Sequence, residues 1–419
     1  MSIDFVKSLN AFWLSVAIMV VFFVAEYFIS LRLKKKVFEF SDSIANTICG
    51  VMERGIYILF AVIYYGSFEY VHNHFALMNI PKTIWSALIL FVAVDFLWYL
   101  YHRSGHVINV LWAAHITHHQ SEQYNLTLSF RVSSIQLLIR MFFWLLLPLI
   151  GFDPMQTTVI IGINAAYQFF IHTRLIGRLG FLEEIFVTPS HHRVHHGKNE
   201  KYIDRNYGGI FIIWDRIFGT FQREEEEVEY GITKALNSYN PFQAWFHYFI
   251  DLYHASKMEI GLKNKIKIWF AGPETLGPYY DSLEKKEFKP NVLSSSLKYY
   301  IGIQFAFLCF VCITMFKWYG TFLHNQEIYA IVLFTAYSGV SYAAVLENKT
   351  YSAILEIGRI LFTTAIIYSL VEVFETSNYI DSTIFNYVAV LYPAVFLIWL
   401  YRLKNNLLNY QPEPSSIKS

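Results

Sequence analysis

Eight of the fifteen histidines in this chain fall in three short clusters. His102 and His106 stand at i and i+4 in HRSGH. His115, His118 and His119 stand at i, i+3 and i+4 in HITHH, and His192, His195 and His196 repeat that spacing in HRVHH. On a helix, positions so spaced share one face, so each cluster can aim several ring nitrogens at one point. Imidazole is a ligand for iron, zinc and copper. A lone histidine is usually a capped or solvated side chain, which is the reading given to His72, His74, His247, His254 and His324.

The elements that must position these clusters are membrane helices. Nine apolar runs, at 11–31, 43–68, 82–101, 134–150, 155–171, 298–317, 328–345, 351–371 and 384–402, are each near the ~20 residues that a spanning helix needs. Basic residues sort with this count. The alternate loops 71–81, 151–154, 318–327 and 372–383 hold no Lys or Arg, although Lys82 and Lys317 sit at helix ends on that side. The opposite loops hold Arg32, Lys34, Lys35, Lys36, Arg103, Arg131, Lys349 and Lys404. This places the N-terminus outside and the histidine clusters on the cytosolic face. The expected fold is all-α: a multi-pass integral membrane bundle with a cytosolic, histidine-rich, two-metal cap. Ionisable groups gathered at a membrane face mark function.

The organisation expected along the chain is a catalytic region over 1–270 with five membrane segments, a Pro/Gly/Ser-bearing linker over 271–297, four apolar helices over 298–403, and a cytosolic tail over 404–419. Composition agrees. The chain is 55% hydrophobic and 16% charged, against about 25% charged in a soluble domain. A net charge of +1 offers no basic field for nucleic acid, so the bilayer is the implied partner. Three cysteines build no disulfide scaffold, and Cys309 and Cys312 read as packing residues in an apolar helix. The acidic run Glu224–Glu227 reads as a solvated face.

Other residues bear on the clusters. Asp95 lies seven positions before His102, about two helical turns on the same face. A carboxylate there could accept the second ring N–H of a ligand histidine and fix its tautomer; the plainer reading is an Asp satisfied by a neighbouring helix. Asn164, Gln168 and His172 form an i, i+4, i+8 polar stripe, which either faces a metal cavity or makes interhelical hydrogen bonds. His191 sits at the edge of its cluster's face, behind the ligand positions. Glu26, Glu53 and Arg54 read as a pairing between the first two helices. A zinc hydrolase would need a general base near an open metal position, usually within H-E-x-x-H, and no such motif is present. Passive binding of haem or metal is the third class.

With these residues in place, the chain resembles the fatty acid hydroxylase/sterol desaturase superfamily, whose signature is H-x3-H, H-x2-H-H and H-x2-H-H. Within it, the alkylglycerol monooxygenase group is the nearest likeness. The passages that carry it are Asp95–His102 with the clusters after it, QFFIHT at 168–173, and TPSHHRVHHGKNEKYIDRNYGGIFIIWDRIFGT at 188–220. The resemblance implies a di-iron centre held by His102, His106, His115, His118, His119, His172, His192, His195 and His196. O2 would be the co-substrate. The expected reaction is cleavage of the ether bond of an alkylglycerol to fatty aldehyde and glycerol, with another lipid or sterol hydroxylase or desaturase as the alternative. Some members carry a second H-x3-H near the fifth helix. Its first position here is Gln168, so an amide or a water would complete the ligand set there. The group's pattern has Glu directly after the first box, a residue associated with its pterin reductant. Val107 stands there instead, so tetrahydrobiopterin is doubtful and the electron donor stays open. The Ile-, Lys-, Phe- and Tyr-rich composition points to a bacterial inner membrane, or the endoplasmic reticulum in a eukaryote.

Overall fold

The computed structural model describes residues 3–283, 292–318, 325–377 and 383–408. Among them are sixteen α-helices and no strand: α1 Ile3–Arg32, α2 Phe40–Phe75, α3 Ile84–Val107, α4 Asn109–His115, α5 Ser134–Trp144, α6 Leu146–Ile150, α7 Pro154–Phe170, α8 Pro189–His195, α9 Ile213–Ile217, α10 Pro241–Met258, α11 Leu262–Phe270, α12 Gly277–Asp281, α13 Ser295–Trp318, α14 Asn325–Leu346, α15 Ser352–Ser377 and α16 Thr383–Leu408. They fall into two compact units, Met1–Asn237 with Phe242–Lys286, and Ser238–Pro241 with Glu287–Ser419. His324, the stretch 284–291 of the expected linker and 409–419 of the expected tail lie outside the described residues.

Among the described residues, six helices are long and apolar enough to cross a bilayer: Phe40–Phe75, Ile84–Val107, Ser295–Thr314, Glu327–Leu346, Ser352–Glu372 and Asn386–Leu403. The expected span at 11–31 lies within α1, whose side chains are described only from Ile18 onward. Two expected spans differ from the reading of nine. The run 134–150 is broken at Leu145 into α5 and α6, and α7 has 17 residues, about 25 Å at 1.5 Å per residue against a hydrocarbon core of about 30 Å. They form a hairpin that turns at Gly151 (φ +125°) against the end of α2, where Leu77 N–H donates to the Leu149 carbonyl at 2.8 Å. A Cβ at Gly151 would lie 1.9 Å from the Met78 carbonyl oxygen. Glycine is therefore required by both conformation and space.

In the first unit, α3 packs against α4, α5 and α7, and α2 against α5, α6 and α7. Their apolar faces meet in a core that includes Phe68, Leu90, Val94, Trp98, Trp144 and Leu147. Local signals set the starts. Thr83 and Ser86 form a reciprocal capping box on α3, and the Asp153 side chain caps α7 ahead of Pro154, satisfying amides that a helix start leaves free. The expected pairing of Glu26 with α2 is not made. Glu26 accepts from Leu126 N–H and the Thr173 hydroxyl, while Glu53 pairs with its own neighbour Arg54.

Candidate metal centre

All nine histidines named by the resemblance are buried, and they sort into two groups. Ring nitrogens of His102, His106, His115, His119 and His195 lie within 4.8 Å of one another, as do those of His118, His172, His192 and His196. The sorting refines the spacing argument. Histidines four apart stay together (102 with 106, 115 with 119, 192 with 196), while His118 and His195 each cross to the other group. Helical geometry accounts for the split. On α8, at about 100° per residue, i+4 lies about 40° to one side of i and i+3 about 60° to the other, so His192 and His196 turn one way and His195 the other. The second cluster divides in the same way, although α4 ends at His115 and the chain tightens into a 3-10 turn over Ile116–His119. His119 and His196 then stack between groups, ring centroids 4.4 Å apart.

The far sides of the rings are held by carbonyl oxygens. His102 Nδ1 donates to the Tyr207 carbonyl at 2.8 Å, His118 Nδ1 to that of Arg131 at 3.3 Å, His172 Nδ1 to that of Gln168 at 2.7 Å, and His195 Nδ1 to that of Arg205 at 2.9 Å. A carbonyl only accepts, so each of these rings carries its proton on Nδ1 and presents a bare Nε2. His118 Nε2 and His172 Nε2 face each other at 3.1 Å, and His172 Nε2 lies 3.0 Å from His192 Nε2. Burial, reinforced by neighbouring rings, holds His115, His118, His119, His192, His195 and His196 well below the usual imidazole range. Burial brings His172 down to about 4. The rings are therefore neutral at physiological pH, and the bare lone pairs of His118 and His172 repel at their observed separation. Buried His106 Nε2 and His195 Nε2 have no hydrogen-bond partner. A cation in each group would satisfy both conditions, so the donor set fits two metal ions.

A polar scaffold behind the rings went unread in the sequence. Asp95 does not touch a histidine. Its carboxylate accepts from Asn164 Nδ2 (3.0 Å), Ile210 N–H (2.6 Å), Phe211 N–H (3.0 Å) and Trp214 Nε1 (2.9 Å). The direct contact expected with a ligand ring is thus replaced by a longer route: Asp95 anchors the 207–214 turn, and that turn carries the carbonyl that holds His102. Asp215 braces the same turn, accepting from Tyr207 N–H and Gly208 N–H, each at 2.8 Å. The turn lies so close that a Cβ at Gly209 would meet Asp95 Oδ1 at 2.8 Å and Trp98 at 2.8 Å. Asp204 and Asn206 adopt positive φ (59° and 56°) on either side of Arg205, a conformation that Asp and Asn tolerate. Buried Arg131 donates to the Thr117 carbonyl, Asn46 and Gln120 while its own carbonyl holds His118.

Two further residues named in the sequence lie outside both groups. The Gln168 side chain donates to Asn164, which donates to Asp95. The stripe is therefore an interhelical chain for its first two members, and only the Gln168 carbonyl meets a histidine. His191 belongs to neither group. Its Nδ1 accepts from Thr188 N–H at 3.4 Å as the cap of α8, and its ring packs on Phe221. The acidic run is also divided. Glu224 binds Arg193 and Ser190, while Glu225 pairs with exposed Lys201. Val107 is 43% exposed at the end of α3.

One wall of a cavity of about 460 Å³ is formed by His106, His119, His195 and His196, and its far wall by residues of the 231–251 stretch, with Trp112 and Tyr280. Its size falls in the range of ligand pockets.

Residues 87–220 match the fatty acid hydroxylase family model. The chain is 38% identical over 317 residues to alkylglycerol monooxygenase of Homo sapiens, covering 73% of this chain and 69% of that one. It is 40% identical over 252 residues to the Xenopus tropicalis alkylglycerol monooxygenase, covering 60% and 56%. It is 34% identical over 336 residues to that of Danio rerio, covering 76% and 73%. No solved structure matches the chain.

Proposed function

Because the chain belongs to the alkylglycerol monooxygenase family, with a fatty acid hydroxylase domain at 87–220, we propose that it is a membrane lipid monooxygenase that cleaves the ether bond of alkylglycerols. The two histidine groups would hold two iron ions, one on His102, His106, His115, His119 and His195, the other on His118, His172, His192 and His196. The observation that carries this reading is the pair of bare Nε2 lone pairs of His118 and His172 at 3.1 Å, each ring fixed from behind by a carbonyl. When bound, the metal pair would supply the activation of O2 that side chains lack.

The protein's own residues do the rest. Neutral, buried rings offer lone pairs without competing protons. The Tyr207, Arg131, Gln168 and Arg205 carbonyls fix ring orientation, and Asp95 and Asp215 fix the turn that presents the Tyr207 carbonyl. The lipid would present the carbon beside its ether oxygen. One oxygen atom of O2 enters that C–H bond, and the other leaves as water with two electrons and two protons from an external reductant. The hemiacetal then collapses to fatty aldehyde and glycerol. The histidines would face the cytosol, where a reductant is available. Asp95, Gln168 and His191 would act as supports, and their contacts with the turn, with the His172 ring through the Gln168 carbonyl, and with the start of α8 favour that role.

The test is an O2-dependent product assay on iron-loaded membranes given an alkylglycerol, with and without tetrahydropterin, beside His118→Ala. Aldehyde made only by the intact protein supports the reading, and the pterin arm decides what Val107 means. Two bound irons with no aldehyde under either reductant would move the assignment to another lipid or donor.

A further inference from the structure

Helices α10 and α11 carry an apolar surface that the first unit leaves open. On α10, Phe242, Phe246, Ile250 and Tyr253 form one exposed stripe at i, i+4, i+8 and i+11. On α11, Leu262, Ile266 and Phe270 are 74%, 49% and 65% exposed at i, i+4 and i+8, with Met258 and Ile260 exposed between the two helices. Lys257, Lys263, Lys265 and Lys267 flank this face and are exposed. An apolar face edged by lysines suits the boundary between lipid headgroups and acyl chains. The level of the pair is fixed by the chain itself. Asn109, two residues beyond the membrane helix α3, donates its backbone N–H to the Ala271 carbonyl at 2.8 Å. The Asn109 side chain donates to the Ile268 carbonyl at 2.7 Å and accepts from the Tyr248 hydroxyl at 2.7 Å. Both helices are therefore tied to the point where a spanning helix ends.

The other side of α10 faces the histidines. Gln243, His247 and Ile250 line the cavity whose inner wall is His106, His119 and His195, and Ile250 lies on the exposed stripe as well. The cavity thus opens beside the apolar face. Resting on the reading that this site acts on lipid, we propose that α10 and α11 lie in the lipid headgroup layer, and that the cavity beside them is the port by which a single-chain lipid passes sideways from that layer to the histidines.

The test needs no turnover, so it can fail or succeed independently of the reaction assigned above. In full-length protein with Cys49, Cys309 and Cys312 replaced by Ser, single cysteines at Ile266→Cys, Phe270→Cys and, on the cap, Glu225→Cys are labelled with an environment-sensitive fluorophore. The protein is placed in nanodiscs of phosphatidylcholine and phosphatidylglycerol. The expected result is strong quenching of the 266 and 270 labels by nitroxide-bearing lipid and little by aqueous iodide, with the reverse at 225. If all three labels respond to iodide alone, the interfacial placement is overturned. For the port, a single-chain glyceryl ether with a diazirine near its head is photolysed in the same nanodiscs and its adducts mapped. Adducts on 231–251 are expected. Adducts confined to α3 and α7 would place the lipid's path inside the helical hairpins and overturn the port. Adducts on 231–251 in a protein that releases no aldehyde would sink the ether-cleavage reading and leave the port standing.

Discussion

The histidine cap of the first unit and the Glu356–Arg359 network of the second are both buried polar assemblies in apolar surroundings, and their electrostatics differ in kind. Arg359 and Glu356 are 1% and 0% exposed. The guanidinium donates to both carboxylate oxygens, at 2.9 and 2.7 Å, and to Gln304 Oε1 at 3.0 Å. The Tyr300 and Ser341 hydroxyls donate to the same carboxylate at 2.7 and 2.6 Å. Opposite charges meet and every charged atom has a partner, so the network closes on itself. In the cap, nine imidazoles converge in two groups with no carboxylate among the grouped atoms; Nε2 of His118 and His172 face each other, and Nε2 of His106 and His195 have no partner. Burial and polarity are common to both. In the network the only open end is the neutral Gln304 Nε2, whereas in the cap the unpaired atoms are ring lone pairs gathered at one point, and that gathering marks a binding site where a closed pair marks packing register.

The sharpest way to break this contrast is to remove one acceptor. His195→Ala takes a ligand from the five-histidine group and leaves the other four rings intact. Bound metal should fall from about two ions to about one per chain. Product formation should fall by more than the ~10–100-fold that losing an outer hydrogen-bond partner costs. Metal analysis on correctly eluting protein checks it; two ions retained would show that the groups do not bind separately.

Next in size is the response of metal-free protein to acid. The unfolded state protonates its histidines near pH 6.5, whereas burial holds His115, His118, His119, His192, His195 and His196 lower and His172 at about 4. Below pH 6.5 the unfolded state therefore binds more protons, and stability falls as pH falls towards 4. For His172 alone the loss is about 3 kcal/mol, and the other rings add to it. Melting of the apo protein from pH 7.5 to 4.5 should show a steady drop that bound metal reduces at the upper end. A flat profile would mean that the rings are not buried neutral.

The second unit should behave oppositely. Arg359→Ala leaves a buried carboxylate alone and should cost about 3–5 kcal/mol, whereas Arg359→Met with Glu356→Leu, which removes both charges, should restore most of it. Metal content should stay at the wild-type value in both. Loss of metal in either variant would show that the network serves the cap.

How far these features can be read from sequence depends on the range of their causes. The nine histidines and the helical class are legible because i, i+3 and i+4 spacing and apolar run length are local properties. The division of the rings between two groups is not, because it depends on which distant ring each i+3 histidine meets, His118 with His172 and His195 with His102. Three of the four partners of Asp95 are over one hundred positions away, at Ile210, Phe211 and Trp214. The two glycines before Ile210 hinted at a close approach, but only the fold shows what is approached. The short hairpin of α5, α6 and α7 looks like two full spans in the sequence because hydropathy registers composition and not the break at Leu145. Asp95→Asn tests the longest of these links. An amide cannot accept from all four donors, so stability should fall by about 1–3 kcal/mol. Metal affinity, read by competition with a chelator, should weaken by about tenfold or more through the turn that holds His102. Unchanged affinity would confine Asp95 to folding.

The smallest effect separates neighbours in one acidic run. Glu224 accepts from Arg193 at 2.7 Å through both oxygens, and Arg193 stands between His192 and His195 on α8, donating to the Thr173 and Ile176 carbonyls. Glu225 pairs only with Lys201, both largely in water. Glu224→Ala leaves a mostly buried guanidinium short of its acceptor and should cost about 1–3 kcal/mol, with looser metal binding because α8 carries His192 and His195 and leads directly into His196. Glu225→Ala should stay within about 0.5 kcal/mol. Equal effects would mean that Arg193 finds its anchorage in the two carbonyls alone. The contrast drawn between the two units would then hold within the cap as well, since a cation on α8 would be held by backbone rather than by a closed charge pair.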